Sequence, residues 1–444
     1  MKKLLCLSAS ALSIAASTAS AGGWQTSALD SAFMYNSGNF AELSFGKVTY
    51  NVKVESAMGY DGYKDRGSKV TEDQNRMAFS FKTDVGAFSV GIQQYRYGSI
   101  QLQGGSATPG TGDWVPVADA NIDTLALIGK WSATDNIDVL FGLTNNTLQS
   151  SSVSTIMGKY DISSASQTRP MIGAAYSIPD IALRIEAQFM PKTKMTTSTT
   201  FTEAAPSIPA VALENMPAIS YNMPAISYGD IVAASTVNPA IQTLAQSYGA
   251  ALASGDPAVI DGFLATPIGG GATAGQALAA TSGAVTSASD VDTDVVLPET
   301  IRLNFQTGIA KDTLLFGSIE HAKWGDAQID VATGSDATAI ATEFDNTTSY
   351  SIGIGRKLNE QWSISATYSK EPGTSSTSES LFTVSNGSDG VTLGARYTQG
   401  NMVVSGGVNY TRVGDVTVES DGTTLATYKG NTVTGIGVKV GFTF

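Results

Sequence analysis

Few side chains in this sequence are equipped for covalent chemistry. The 444 residues contain one histidine and one cysteine. His321 alone could serve a Ser–His or Asp–His hydrolase, but nothing around it marks a nucleophile. No Cys/His cluster has metal-ligand spacing, and SIGIGRK (351–357) reads as a strand that no helix follows, so it is not a phosphate loop. The sequence predicts no enzyme, no cofactor and no metal. What remains is ionic. Arg184, Arg302, Arg396 and Lys439 each stand between apolar neighbours in alternating stretches, so they share the face opposite the apolar one. A cation there can hold a ligand carboxylate, a carboxylate of the protein, or water. A buried charge without a partner is costly, so each must meet one of these. Glu186 lies two residues from Arg184 on the same face, which favours a structural pair. For Arg302 and Lys439 a paired or solvated charge is the ordinary reading.

The elements that position these cations are strands. At the C-terminus Ile436, Val438, Val440, Phe442 and Phe444 alternate with Gly435, Gly437, Lys439, Gly441 and Thr443. The same period of two recurs backwards through Met402–Tyr410, Val391–Tyr397, Trp362–Tyr368, Tyr350–Ile354, Leu314–Phe316, Ile301–Phe305 and on to a first strand at about 41–54. Apolar side chains at every second position over about 9–11 residues are what a membrane-spanning strand needs. Short turns alternate with long loops, which places both chain ends on the short-turn, periplasmic side. The reading is all-β: a transmembrane antiparallel β-barrel of about fourteen strands over 40–444. In the first strand the phase slips near Gly46, from Leu43 and Phe45 to Val48, Tyr50, Val52 and Val54, which predicts a bulge. Trp131 and Trp362 fall near short-turn ends and Trp324 near a long-loop end, as interfacial girdles require.

One loop, 196–296, differs from the rest. It is rich in Ala, Ser, Thr, Pro and Gly, and has no Lys or Arg after Lys194 until Arg302. Such a length points to function or disorder, and it is too apolar for an ordinary unstructured linker. Asn238-Pro239 and Asp256-Pro257 each read as an N-cap with Pro at the first helical position. The first helix would present Ile241, Leu244 and Tyr248, and the second Val259, Ile260, Phe263 and Leu264. NMPAISY occurs twice in succession, adding Ile219, Tyr221, Ile226 and Tyr228. Slippage duplication explains the repeat equally well. An exposed apolar surface of this kind usually marks a binding site, so these eleven residues are the expected hydrophobic contacts of an extracellular, partly helical loop.

Lys2 and Lys3, the apolar run 4–16 and Ala19-Ser20-Ala21 form a signal peptide over 1–21, which carries Cys6 away. Residues 22–39 remain as a short N-terminal plug. Charged residues make up 15%, against about 25% in soluble domains. No helical membrane span follows the signal. The net charge of −13 argues against nucleic acid as a partner.

LPETIRLNFQTGIAKDTLLFGSIEHAKW (297–324), YSIGIGRKLNEQWSISATYSKE (350–371) and the closing GIGVKVGFTF resemble the long-chain fatty acid outer-membrane transporter family. The resemblance implies a monomeric barrel in outer-membrane lipid that carries fatty acids or other hydrophobic small molecules inward. Loops capture the ligand, a tighter site lies inside, an N-terminal hatch plugs the lumen, and a kinked strand opens sideways. It also makes Arg302, Lys439, Arg184 and Arg396 candidates for a ligand carboxylate, and the terminal Phe444 a signal for the barrel assembly machinery. The hatch here is shorter than the family's, and the only Asn-Pro-Ala is 238–240, inside the loop. Two other functions fit a barrel: a porin for small polar solutes, and an adhesin-like surface barrel.

Overall fold

In the computed structural model the described residues are 24–57, 69–104, 115–155, 158–203, 247–248, 250–251, 254, 256–269, 272–274, 288–331, 340–342, 344–420 and 422–444. The expected signal peptide, the NMPAISY repeat and the Asn238-Pro239 cap lie outside them. So do Ile219, Tyr221, Ile226, Tyr228, Ile241 and Leu244.

Fourteen antiparallel strands close one barrel: β1 (Phe40–Asn51), β2 (Gln74–Val85), β3 (Phe88–Gln103), β4 (Val117–Ser132), β5 (Ile137–Leu148), β6 (Ala165–Ile178), β7 (Leu183–Met190), β8 (Thr300–Ala310), β9 (Thr313–Ala322), β10 (Thr347–Lys357), β11 (Trp362–Glu371), β12 (Ser388–Gln399), β13 (Met402–Val413) and β14 (Thr432–Thr443). Each pairs with its sequence neighbour. Phe40 opposite Thr443 closes the ring between β1 and β14. The outward residues form a continuous apolar belt: Leu125, Leu127, Phe141, Leu143, Ile172, Ile185, Ile301 and Leu393 are all exposed. Water would oppose such a surface, and lipid accepts it. Trp131 and Trp362 are 43% and 44% exposed at the short-turn rim, stacked beside Phe88 and tilted against Tyr397, as a girdle requires. Trp324 is not part of a girdle. It is 2% exposed and packs edge-on against Phe344 inside the upper wall.

The bulge expected at Gly46 does not form. β1 keeps one register with β14 from Phe40 to Asn51. The slip in the hydrophobic pattern instead marks a change of environment along one regular strand. Leu43 and Phe45 face outward into the belt, whereas Val48, Tyr50, Val52 and Val54 face inward and are buried. They join Val70, Val416, Val418, Leu425 and Tyr428 in a second core above the belt. A small sheet of Val54–Ala57, Thr377–Ser378, Val416–Ser420 and Thr423–Tyr428 covers it.

An irregularity does occur in β3, whose register against β4 shifts between Arg96 and Gly98. β3 pairs with β2 only from Val85–Phe88 up to Ala78–Tyr95, and contact resumes at the Thr71–Leu102 bridge. Between these points no β2–β3 pairing is found among the described residues, leaving a window in the wall. Gln25–Thr26 pairs with Ser99 and Gly98 from inside.

The expected loop 196–296 is also shorter than its composition suggested. Thr193–Glu203 and Ala288–Leu297 pair as an antiparallel hairpin stem, from Thr193–Leu297 to Thr202–Ala288. Threonine is β-branched, and this Thr-rich run alternates despite its polarity. Met195, Thr197, Thr199 and Phe201 are buried, while Lys194 pairs outside with Asp294 at 2.8 Å. Within the loop, helix α1 (Pro257–Leu264) forms as expected, with Asp256 Oδ1 accepting from the Ala258 N–H at 2.9 Å. Phe263 stacks on buried Tyr248 at 5.9 Å, and Leu264 is buried. Ile260 is half-buried. Val259, expected on the apolar face, is exposed.

Candidate functional site

Residues 24–39 run among the inward side chains of the barrel, and glycines on β3 admit them. A Cβ on Gly91 would stand 2.4 Å from Met34 Sδ and 2.7 Å from the Phe33 ring, and one on Gly98 would stand 3.1 Å from Trp24. Polar groups tie the segment down at several points. Arg76 donates to the Ser27 hydroxyl at 2.5 Å and to the Gln25 carbonyl at 3.1 Å. Lys82 donates to the Gly38 carbonyl at 2.9 Å. Buried Glu186 accepts from Ser31 and Tyr35, both at 2.5 Å, and also from Gln188 and Asn304.

This explains where the candidate cations go. Lys439, 5% exposed, donates to Asp30 at 3.0 Å and lies 3.3 Å from Glu42. Arg302 pairs with Glu320 at 2.9 Å. Arg184 does not pair with Glu186 directly. Its guanidinium lies 3.9 Å from the centre of the Tyr35 ring, whose hydroxyl reaches Glu186. Arg396 is half-buried on β12 and feels the Glu42 carboxylate. Lys439 and Arg184 contact the N-terminal segment, and Arg302 pairs with a neighbouring strand.

Sequence reasoning missed Arg169. It is 1% exposed, donates to the Pro298 carbonyl at 3.1 Å and lies 5.4 Å from the Tyr97 ring centre. Parity was the available signal, since Arg169 shares the inward face of Met171 and Ala175. Outward Ile172 and Tyr176 alternate with them. His321 shares the outward parity of Ile319, and its Nδ1 lies 2.8 Å from the Thr348 hydroxyl. Among the described residues no group of three or more His, Cys, Asp or Glu is arranged to hold a metal.

Two cavities flank the segment. Below it, on the side of β8 to β12, is a polar cavity of about 240 Å³. Thr26 to Ala32 form one wall, and Arg302, Glu320, Ser351, Ser365, Thr367 and Thr392 contribute to the other. Above it, Trp24 contributes to the lining of an apolar slot of about 40 Å³. Ile100, Ala120 and Leu148 line it from the barrel wall, and Val153, Tyr160, Ile162, Val295, Ile329 and Phe382 from the upper tier. Among the described residues no charged side chain lines the slot. A third cavity, of about 50 Å³, runs from Asp30 and Lys439 past Arg76, Tyr95 and Arg96 to Met77, whose side chain is exposed on the outer face. It occupies the window between β2 and β3.

A fourteen-stranded barrel with an apolar belt around its outside defines a transmembrane β-barrel of the outer-membrane type. The fold matches solved channels of this architecture. A Pseudomonas aeruginosa FadL homologue aligns over 93% of this chain and 92% of its own at 12% identity, with a TM-score of 0.64. The Pseudomonas putida toluene transporter TodX aligns over 92% and 90% at 12% identity, with a TM-score of 0.55. The Ralstonia pickettii toluene transporter TbuX covers the same shares at 12% identity, with a TM-score of 0.52. At such identity the likeness establishes the fold. No family model matches the sequence, and no curated protein does.

Proposed function

We propose that the protein carries small hydrophobic molecules, fatty acids or hydrocarbons, inward through the outer membrane as a monomer with both termini in the periplasm. One observation carries the reading: an apolar slot lined by Trp24 stands over a hydroxyl-lined lumen and beside a gap in the barrel wall. A hydrophobe in the slot gains nothing by descending into a polar lumen. Each Å² of apolar surface kept from water is worth about 25 cal/mol, so lipid beyond the β2–β3 window is the favoured exit. Residues 24–39 act as the plug, and the long loop, with Tyr248, Phe263 and Leu264 among its apolar groups, collects ligand outside. The solved channels of this fold include toluene transporters, which supports the same class of cargo.

Filling the slot tests this. In cells that lack their own hydrophobe channel, Ala120→Phe should lower uptake of labelled toluene and decanoate at least about tenfold while the barrel still assembles. Unchanged uptake of both sinks the proposal. The polar cavity favours a second reading, a path for small polar solutes. A large, steady conductance in planar bilayers would support that reading against a plugged barrel.

A further inference from the structure

The apolar belt stops on its long-loop side, and the charges at that edge differ around the barrel. On one side they are spent on each other. Arg96 pairs with Asp123 at 3.0 Å, and Lys323 with Glu299 at 2.7 Å. On β11, β12 and β13 the outward residues at the edge are Lys370, Asp389 and Arg412, which stand in one cross-strand row. One outward step below, Tyr368, Val391 and Tyr410 form the top row of the belt, all exposed. Tyrosines at the end of an apolar belt mark a lipid–water interface. The charged row above them holds two cations and one carboxylate. The Arg412 side chain is 71% exposed, and its Nε lies 3.6 Å from Asp389 Oδ2, too far for a charge-assisted hydrogen bond. Lys370 is exposed, with no hydrogen bond or ion pair among the described residues. Lys47 is the next cation round the edge, outward on β1 above Leu43 and Phe45, and lies 4.0 Å from Asp73. This basic stretch stands out on a chain whose net charge is −13.

We infer that Lys370 and Arg412, with Lys47 beside them, hold the headgroup phosphates of an outer-leaflet lipid whose acyl chains lie on the belt below. Neighbouring strands are about 4.8 Å apart, so the backbones of Lys370 and Arg412 are roughly 10 Å apart, and two long side chains can close on one headgroup. Asp389 stands between them and competes for both. A phosphate presents more charge and more acceptor oxygens than that carboxylate, and the guanidinium fork of Arg412 suits it. A free anion would gain only the exposed cations, which salt screens. A phosphorylated lipid also lays its chains over Leu393 and Val408, which are exposed on the same strands. The inference takes its orientation, long loops outward, from the function proposed above, and does not depend on what the barrel carries.

Native mass spectrometry of the full-length protein in detergent, titrated with diphosphoryl lipid A, reads the site directly. Lys370→Gln/Arg412→Gln should weaken binding about ten- to thirtyfold, since each basic residue at a lipid surface is worth about fivefold. Asp389→Asn removes the competitor and should tighten binding about two- to fivefold, a gain that unfolding cannot mimic. Lys194→Gln/Lys323→Gln removes the same charge from positions already paired with acids, and should change binding less than about twofold. Inorganic phosphate in large excess should leave the lipid bound. Wild type that takes up no lipid A overturns the inference. So do equal losses in the two double variants, which would reduce the effect to diffuse charge, and an Asp389→Asn protein that binds no tighter. Displacement by inorganic phosphate would make the row a free-anion site and overturn the lipid assignment. Hydrophobe uptake is a separate measurement, so failure here leaves the proposed transport standing, and failure there leaves this site.

Discussion

The slot above Trp24 and the cavity beside Ser31 lie on either side of one short segment of chain, yet they obey opposite rules. The slot is walled by aliphatic and aromatic side chains from widely separated segments, without a charge. The lower cavity is lined by serines and threonines on consecutive strands, with Arg302 and Glu320 paired side by side on its wall. In the lower region lipid covers the outside, so apolar residues point out and small polar ones point in. In the upper region water covers the outside, and the pattern inverts, as β1 records at Val48 and Tyr50. A barrel that crosses from lipid into water therefore changes the polarity of its interior without changing its backbone. The N-terminal segment sits at that change, with Trp24 and Leu29 buried above and Asp30, Ser31 and Tyr35 bound to polar groups below.

Four substitutions would break or sharpen this contrast. Lys439→Met should have the largest effect, because it strands Asp30 and Glu42 inside the barrel. A loss of about 3–5 kcal/mol in urea unfolding from lipid vesicles is expected, and a loss within error would show that the segment is not held by charge. Ile162→Asp places an unpartnered carboxylate in the slot. It should cost about 3 kcal/mol and abolish binding of neutral hydrophobes, measured by the same unfolding and by titration. Gly91→Ala drives a methyl group into Met34 and Phe33, so about 1–3 kcal/mol should be lost. Planar-bilayer conductance should rise as the segment shifts, and an unchanged trace together with unchanged stability would remove the segment from that position. Ser365→Asp, in the hydroxyl-lined cavity, should change stability by less than about 1 kcal/mol, because water and neighbouring hydroxyls solvate the new charge. If it cost as much as Ile162→Asp, the two cavities would not differ as described.

Much of the wall was legible in the residues. Period-two alternation named the lipid face of most strands, the tight turns and the pairing order, because each strand meets its sequence neighbour and the outward face has a single solvent. In β9 it misassigned Leu314 and Phe316, which face inward opposite Gly355 and Gly353 while Ile319 faces lipid. The Asp256-Pro257 cap was legible for the same local reason. The Thr-rich stem 193–203 was passed over because its buried face mixes the hydroxyls of Thr197 and Thr199 with Met195 and Phe201. Gly46 was read as a bulge because a change of surroundings and a change of register leave the same trace in a sequence.

Local pattern determined that this chain makes a fourteen-stranded barrel and which side chains face its interior. It could not determine what they meet there. Lys439 finds Asp30 409 residues away, and Ser31 finds Glu186 155 residues away. The apolar slot draws on residues from Trp24 to Phe382. Closing the cylinder brought those partners together, because parity sets only the direction of a side chain while the curvature of the closed sheet sets its neighbours.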